Sequence, residues 1–260
     1  MRDSPGKTAL VTGASAGLGR DLAELFAGDG HHLVIVARNE QKLQDLAAQL
    51  RERHGVTVDV IVQDLAAADA STRIFDRLQG KTIDYLVNNA GFGSHGPFAE
   101  SDISSQLEML QVNIAALTHL TRLFLPAMLK RSSGRILNLA SVAAYLPGPL
   151  MAVYYATKAY VLSFSEALAN ELAGSGVTVT ALCPGPTKTE FQTRAGIGES
   201  PLFKGKVMDS MTAARIGYNA MMRGRRVVVT GFSNKLSVLG MRFIPRRAAS
   251  AIARKLNDSR

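Results

Sequence analysis

Thr8-Ala9-Leu10-Val11-Thr12-Gly13-Ala14-Ser15-Ala16-Gly17-Leu18-Gly19 decides the fold. Thr8 to Thr12 is a short apolar run of the kind that forms a buried strand. Gly13, Gly17 and Gly19 follow, and Arg20 to Gly30 reads as a helix. A strand, a glycine turn and a helix open a dinucleotide-binding unit. Gly13 permits a tight turn, and Gly17 and Gly19 permit close backbone approach. The free N–H groups at the helix start suit a pyrophosphate. The spacing is G-x-x-x-G-x-G rather than G-x-G-x-x-G, so an ordinary glycine-rich turn stays open as the alternative.

Beyond this stretch, strand-like and helix-like segments alternate. Strands are expected near 8–12, 33–37, 56–62, 84–89, 134–140, 177–182 and 226–230. Helices are expected near 18–29, 39–54, 69–79, 103–130, 151–174, 209–223 and 247–257. Val/Ile/Leu-rich strands alternating with helices imply a parallel sheet covered on both faces, with right-handed crossovers. Ligand then binds at the carboxyl ends of the strands. The glycine turn, Asn89-Ala90-Gly91, Ser141 and Pro184-Gly185 all follow strand-like runs, so they converge on that edge. At 260 residues the chain suits a single α/β domain over 1–260, without internal repeat or low-complexity linker.

The second strand, His32 to Ala37, bears on the choice of cofactor. A carboxylate near its end would accept from a ribose 2′-hydroxyl, but Ala37 offers none and Arg38 follows. An arginine there can pair with a 2′-phosphate, which favours NADP(H) over NAD(H). Arg38 as a plain surface residue capping the strand is the competing reading. Lys42, a helical turn onward, is expected to be solvated.

Tyr154-Tyr155-Ala156-Thr157-Lys158 carries the chemistry. Tyr154 and Lys158 are four residues apart, so they share a helix face. An ammonium beside a phenol favours phenolate and draws the phenol pKa down from about 10. Such a group can exchange a proton with an alcohol or a carbonyl. Ser141 stands thirteen residues before Tyr154 and follows an apolar run. Tyr155 points about 100° round the helix and is expected to pack.

Together these residues resemble the short-chain dehydrogenase/reductase family, from about Lys7 to Glu190. Thr12 to Gly19, with Ser15 and Leu18 among the glycines, is similar to its cofactor loop. Asp64-Leu65 fits the pair beside the adenine, and Asn88-Asn89-Ala90-Gly91 fits the fourth-strand motif. Pro184-Gly185-Pro186-Thr187-Lys188-Thr189 resembles the segment that holds the nicotinamide amide. Asn113, Ser141, Tyr154 and Lys158 fit the catalytic positions. The resemblance implies a Rossmann-type doubly wound parallel sheet of about seven strands. It also implies hydride transfer between a nicotinamide and a carbonyl or alcohol carbon of a small-molecule substrate. Tyr154 would then give or take the proton, and Ser141 would orient the oxygen. Lys158 would tune Tyr154 and hold the ribose, and Asn113 would hold a water linking Lys158 to solvent. No metal site is assigned. A homo-oligomer, dimer or tetramer, is expected, although the chain's end departs from the family's common glycine-rich finish.

Residues 190–212 interrupt the alternation. Gly196, Gly198, Pro201 and Gly205 lie among Phe191, Ile197, Leu202, Phe203 and Val207. A connection this long is expected to act as a substrate lid. Its apolar content points to an acyl, steroid-like or lipid-like substrate. A loop that packs on its own core is the equal alternative. Gly93 to Phe98 and Tyr145 to Gly148 are expected at the same mouth, with His95 solvated.

Charge is segregated. Of 30 Lys/Arg and 21 Asp/Glu, ten cations and one acid lie from Arg223 onward, so the first 222 residues balance to zero. The extension 232–260 mixes apolar residues with arginines, which suits packing or a subunit interface first and an anionic membrane surface second. The balanced body and the lack of tryptophan argue against a nucleic-acid partner. Cys183, the single cysteine, permits no internal disulfide and reads as a small buried hydrophobe. Met1 to Gly6 carries no apolar leader, and no run of eighteen apolar residues occurs. A cytoplasmic enzyme, membrane-associated if the tail binds lipid, is expected. The alternative class is a sensor that binds NADP(H) without turnover, against which the four catalytic-position residues argue.

Overall fold

The computed structural model describes residues 6–197 and 207–258. The chain runs β1 (Thr8–Thr12), α1 (Gly17–Gly28), β2 (His32–Ala37), α2 (Glu40–His54), β3 (Val58–Val62), α3 (Ala70–Arg77) and β4 (Tyr85–Asn88). It continues through α4 (Ile103–Leu110), a π turn (Gln111–Ala116), α5 (Leu117–Lys130), β5 (Gly134–Leu139), a 3-10 turn (Val142–Tyr145) and α6 (Ala152–Glu171). Then come β6 (Val177–Cys183), β7 (Thr187–Lys188), α7 (Phe191–Ala195), β8 (Met208–Asp209), α8 (Ser210–Met222), β9 (Val227–Val229), α9 (Phe232–Met241) and α10 (Arg246–Asn257).

The main sheet has seven parallel strands in the order β3-β2-β1-β4-β5-β6-β9. This is the expected doubly wound, Rossmann-type arrangement. The order reverses direction between β1 and β4, which opens the crevice where such sheets bind ligands.

Side-chain alternation explains the two layers. Ala9 and Val11 on β1, with Leu33 and Ile35 on β2, face a core shared with Leu22 and Phe26 of α1, Leu43 and Leu50 of α2 and Met221 of α8. Leu10 on β1, with Val34 and Val36 on β2, faces the opposite core, shared with Ile74 of α3, Phe124 of α5 and Leu168 of α6. A strand covered on both faces must be apolar at every position, which is why these runs do not alternate with polar residues. Caps fix the helix starts. Asn39 accepts from the N–H of Lys42, Asp102 from those of Ser104 and Ser105, and Asp209 from that of Thr212.

Three features differ from the sequence expectation. The helix expected over 103–130 is broken by the π turn, which widens the backbone around Asn113. That 28-residue span is also long and apolar enough, by length and composition, to cross a membrane. Thr118, His119 and Arg122 interrupt its run, while Leu117, Leu120, Phe124 and Met128 are buried. Finally, Phe232–Met241 forms α9, where the sequence suggested only an apolar-basic stretch. Residues 198–206 of the expected lid, including Gly198, Pro201, Leu202, Phe203 and Gly205, lie outside the described residues.

Candidate active site

A cavity of about 740 Å³ opens at the carboxyl ends of the strands. The glycine turn, Ser15, Leu18, Arg38, Asp64, Leu65 and Asn89-Ala90-Gly91 line one side of it. Ser141, Tyr154, Lys158, Pro184, Gly185, Thr187 and Thr189 line the other. Of the residues picked from sequence, Gly19 and Asn113 stand behind the wall rather than in it.

The turn is built for a ligand's close approach. Gly13 sits at φ +67° and Gly17 at φ +51°, in the left-handed region. A Cβ on Gly13 would meet Asn89 Nδ2 at 2.8 Å and the Ala90 Cα at 2.9 Å. A Cβ on Gly19 would overlap the Gly13 carbonyl, so this glycine serves the packing of α1 on the turn. Asn89 Nδ2 donates to the Thr12 carbonyl at 2.9 Å and to that of Gly13 at 3.2 Å. Thr12 Oγ1 accepts from the Asn89 and Ala90 N–H groups, both at 3.1 Å. The ends of β1 and β4 are thereby locked together. These residues fit a dinucleotide: a glycine cradle, the start of α1 and an open cleft stand at the switch point of the sheet.

At the end of β2, Arg38 Nη1 lies 3.7 Å from Asp64 Oδ2, both side chains being exposed. Lys42, expected to be solvated, instead contacts Glu190 Oε1 at 2.7 Å. That ion pair joins the start of α2 to the chain just before α7.

Tyr154 lies in the first turn of α6 and Lys158 one turn later, on the same face. Lys158 is only 4% exposed. Its Nζ donates to the Leu139 carbonyl at 2.7 Å and stands 5.7 Å from the centre of the Tyr154 ring. Ser141 stands close enough to the Tyr154 phenol to favour its ionised form. Ser141 Oγ is itself oriented, because it accepts from the Ala143 N–H at 3.1 Å at the head of the 3-10 turn.

The electrostatics correct the sequence expectation. Burial pushes the Tyr154 phenol above its ordinary pKa, and Ser141 only partly opposes it. Burial also brings Lys158 down to about 8, with Cys183 acting against this. Desolvation disfavours the charged form of either group and is the largest influence on both. Cys183 fits its expected part as a buried hydrophobe, its thiol pushed up to about 11 by burial.

Asn113 is 1% exposed and bonds reciprocally with the backbone of Phe92, its Nδ2 donating to the carbonyl at 2.9 Å and its Oδ1 accepting from the N–H at 3.1 Å. The same Nδ2 reaches Thr157 Oγ1 at 3.1 Å, and that hydroxyl donates to the Tyr154 carbonyl at 2.7 Å. A Cβ on Gly91 would lie 3.0 Å from Asn113 Oδ1 and 3.6 Å from Lys158 Nζ, so this glycine fills the gap between them.

Sequence reasoning missed a buried polar chain below the site. Asn88 Nδ2 donates to Thr121 Oγ1 at 3.0 Å and to Asn138 Oδ1 at 2.9 Å. Asn138 Nδ2 donates to Ser165 Oγ at 3.0 Å. This ties β4 and β5 to α5 and α6. An asparagine inside each of two apolar strand runs was the available signal.

The remaining wall is apolar and comes from the end of the chain. Val238 and Met241 of α9 and Leu256 of α10 line it with Tyr145, Leu146 and Met151. Phe191 of α7 packs 5.2 Å from the Tyr154 ring, and Ala195 and Ile197 are buried with Ala143, Met151 and Tyr155. His95, expected to be solvated, is half-buried, and its Nε2 contacts the Asn257 carbonyl at 2.7 Å.

Comparison with known proteins agrees with this geometry. The short chain dehydrogenase family model matches residues 7–199. The very-long-chain 3-oxoacyl-CoA reductase of Rattus norvegicus is 36% identical over 183 residues, which is 69% of this chain but 59% of that protein. The chain therefore spans about three fifths of that relative's length. A short-chain dehydrogenase from Sphingobium yanoikuyae in complex with NADPH is 34% identical, with a TM-score of 0.82 over 91% of this chain and 93% of that one. A short chain dehydrogenase/reductase from Burkholderia phymatum in complex with NAD is 27% identical, with a TM-score of 0.84 over 99% of each chain. Members of this family are NAD(P)(H)-using oxidoreductases of small carbonyl and alcohol substrates. With the family model matched through the glycine turn, the fourth-strand motif and the Tyr154–Lys158 helix, the chain belongs to the short-chain dehydrogenase/reductase family.

Proposed function

We propose that the protein interconverts a carbonyl and an alcohol on an apolar substrate with NADP(H), using Tyr154 as proton donor and acceptor. One observation carries the reading: the Tyr154 hydroxyl, beside Ser141, shares a single cavity with the glycine turn and the buried Lys158 ammonium. When bound, the nicotinamide supplies or accepts the hydride. Ser141 holds the substrate oxygen against the phenol, and its own orientation by the Ala143 N–H lowers the cost of doing so. Tyr154 gives its proton in the reducing direction and takes one in the oxidising direction. Lys158, with a pKa of about 8, keeps its charge at neutral pH and stabilises the phenolate left after transfer. Asn113 acts as a positioning residue that holds the Phe92 and Thr157 segments around Lys158.

Arg38 beside the cleft, with no carboxylate at Ala37, supports a 2′-phosphate and hence NADP(H). The Sphingobium relative's NADPH points the same way, while the Burkholderia relative's NAD marks the competing choice. The apolar wall from Leu146 to Leu256 and the rat relative's very-long-chain 3-oxoacyl substrate support an acyl-type carbonyl. Residues 190–212 are read as the substrate lid, because Phe191 and Ile197 pack on the tyrosine pair. Residues 1–260 are read as one catalytic domain. Exposed Ile103, Leu107 and Leu110 recur on one side of α4 and give a homo-oligomer a contact surface.

Ketones, 3-oxoacyl thioesters and alcohols of graded chain length, offered with NADP(H) and NAD(H), test the proposal. Turnover that rises with chain length and prefers the phosphorylated cofactor is expected. NADPH binding without turnover of any of them would instead favour a cofactor sensor.

A further inference from the structure

Helix α9 has one side on the cavity and an apolar stripe on the opposite side. Its inner side carries Asn234, Ser237, Val238 and Met241, all in the cavity wall. At 100° per residue, Phe232, Leu236 and Leu239 fall on the far side, and Phe243 continues that stripe just past the helix end. These four side chains are 83%, 61%, 52% and 81% exposed. Four large apolar side chains exposed side by side are shaped for a partner.

The charge beside it selects the partner. Lys235 and Arg242 stand on one flank of the stripe, and Arg246, Arg247, Arg254 and Lys255 follow on α10. All six are exposed, and none forms an ion pair among the described residues. Asp258 is the sole acid from 232 to 258. A two-fold contact between copies centred on α9 would set these cations against their own images. An anionic lipid surface would receive both the cations and the apolar stripe.

We propose that the outer face of α9, with the cations of α10, docks on a bilayer leaflet rich in anionic phospholipid. Phe232, Leu236, Leu239 and Phe243 enter the headgroup boundary, and Lys235 and Arg242 lie among the phosphates. The inference is independent of the catalytic reading, because binding is measured without turnover. If that reading also holds, the wall of the substrate cavity is the back of the membrane-facing helix, and an amphiphile in the leaflet lies close to the site.

Flotation of the full chain with vesicles tests it, using phosphatidylcholine alone or with about one third phosphatidylglycerol. Binding to the anionic vesicles should be at least about tenfold tighter and should weaken with salt. Phe232→Ser with Phe243→Ser, and separately Lys235→Glu with Arg242→Glu, should each lose about tenfold or more with unchanged thermal unfolding. Three results overturn the proposal: equal or no binding to both vesicles; variants that float like the parent; or a Phe232→Ser/Phe243→Ser variant that still floats but sediments as a smaller oligomer without vesicles. The last would make the stripe a contact between copies.

Discussion

The Tyr155 hydroxyl donates to Oδ1 of Asn257 at 2.9 Å across 102 residues of sequence. Asn257 Nδ2 donates in turn to the Pro149 carbonyl at 2.9 Å, and the Asn257 carbonyl meets His95 Nε2 at 2.7 Å. One residue of α10, 1% exposed, thus fastens the end of the chain to α6 and to two loops at the cavity mouth. Tyr155 is the neighbour of Tyr154, so this latch sets the start of the helix that carries the proposed acid. Asn257→Ala leaves a buried phenol and a half-buried carbonyl without partners, which should cost about 2–3 kcal/mol in urea unfolding. Substrate KM should rise several-fold while NADPH affinity holds, because the latch touches the substrate side only. Unchanged stability and KM would remove this role.

Lys158 makes folding stability depend on pH. Its folded pKa, about 8, is below the ordinary 10.5. Between these values the unfolded chain binds the extra proton, so stability rises with pH through that window. Below pH 8 the fold bears the whole cost of burying an ammonium. Against Lys158→Met, the parent should therefore gain up to about 3 kcal/mol on going from pH 7.5 to pH 10.5. Tyr154 acts in the opposite sense: its raised pKa confers stability that is fully present below pH 10 and lost above it. Both chains carry that phenol, so its contribution largely cancels in the comparison. Urea melts at several pH values measure the difference, and a flat one would show that Lys158 titrates normally.

What the sequence revealed follows from the range of the interactions involved. The strands were legible because burial on both faces demands apolar residues at every position, as in Leu33–Ala37. Gly13 was legible because a left-handed turn against Asn89 and Ala90 admits little else. The π turn at Asn113 was not, since its residues suit an ordinary helix and only the contacts to Phe92 and Thr157 favour the wider loop. Helix α9 was hidden because its large apolar residues face outward, so the period does not mark a stripe buried against the core. Asn257 was invisible because its partners lie roughly a hundred residues or more away. The pairing of Tyr154 with Lys158 was read correctly as a shared face, but burial, which reverses the expected pKa direction, is a property of the whole fold.

Arg38 should decide between the two cofactors. Its only ion pair among the described residues is with Asp64, at 3.7 Å between exposed groups, and such a contact is weak. A 2′-phosphate offers a stronger, bidentate partner. Arg38→Ala should lower NADPH affinity about tenfold or more and leave NADH affinity within about twofold. Fluorescence titration with both cofactors checks it, and equal losses would reject the 2′-phosphate role.

Tyr154→Phe removes one hydroxyl and keeps the ring against Phe191. Turnover should fall by at least about a thousandfold, as expected when the proton donor is lost. NADPH binding should stay within a few-fold, since the glycine turn and Arg38 are untouched. Near-normal turnover would transfer the acid role elsewhere, and Tyr155→Phe is the matched control. That second variant loses the bond to Asn257 but keeps the proposed acid, so it should retain substantial kcat.

Gly13→Ala tests the cradle without touching any proposed proton-transfer group. The new Cβ would stand 2.8 Å from Asn89 Nδ2 and 2.9 Å from the Ala90 Cα, at a backbone φ of +67°. Real Cβ atoms do not approach so closely, so β1 and β4 would have to part at the bonds between Thr12 and Asn89. The left-handed backbone adds about 1 kcal/mol or more of strain for alanine. Both effects fall where the pyrophosphate would lie. NADPH and NADH affinities should therefore drop together, in contrast to Arg38→Ala, and the thermal midpoint without cofactor should fall by a few degrees. Calorimetric titration with each cofactor separates the outcomes: retained affinity for both would place the dinucleotide away from this turn.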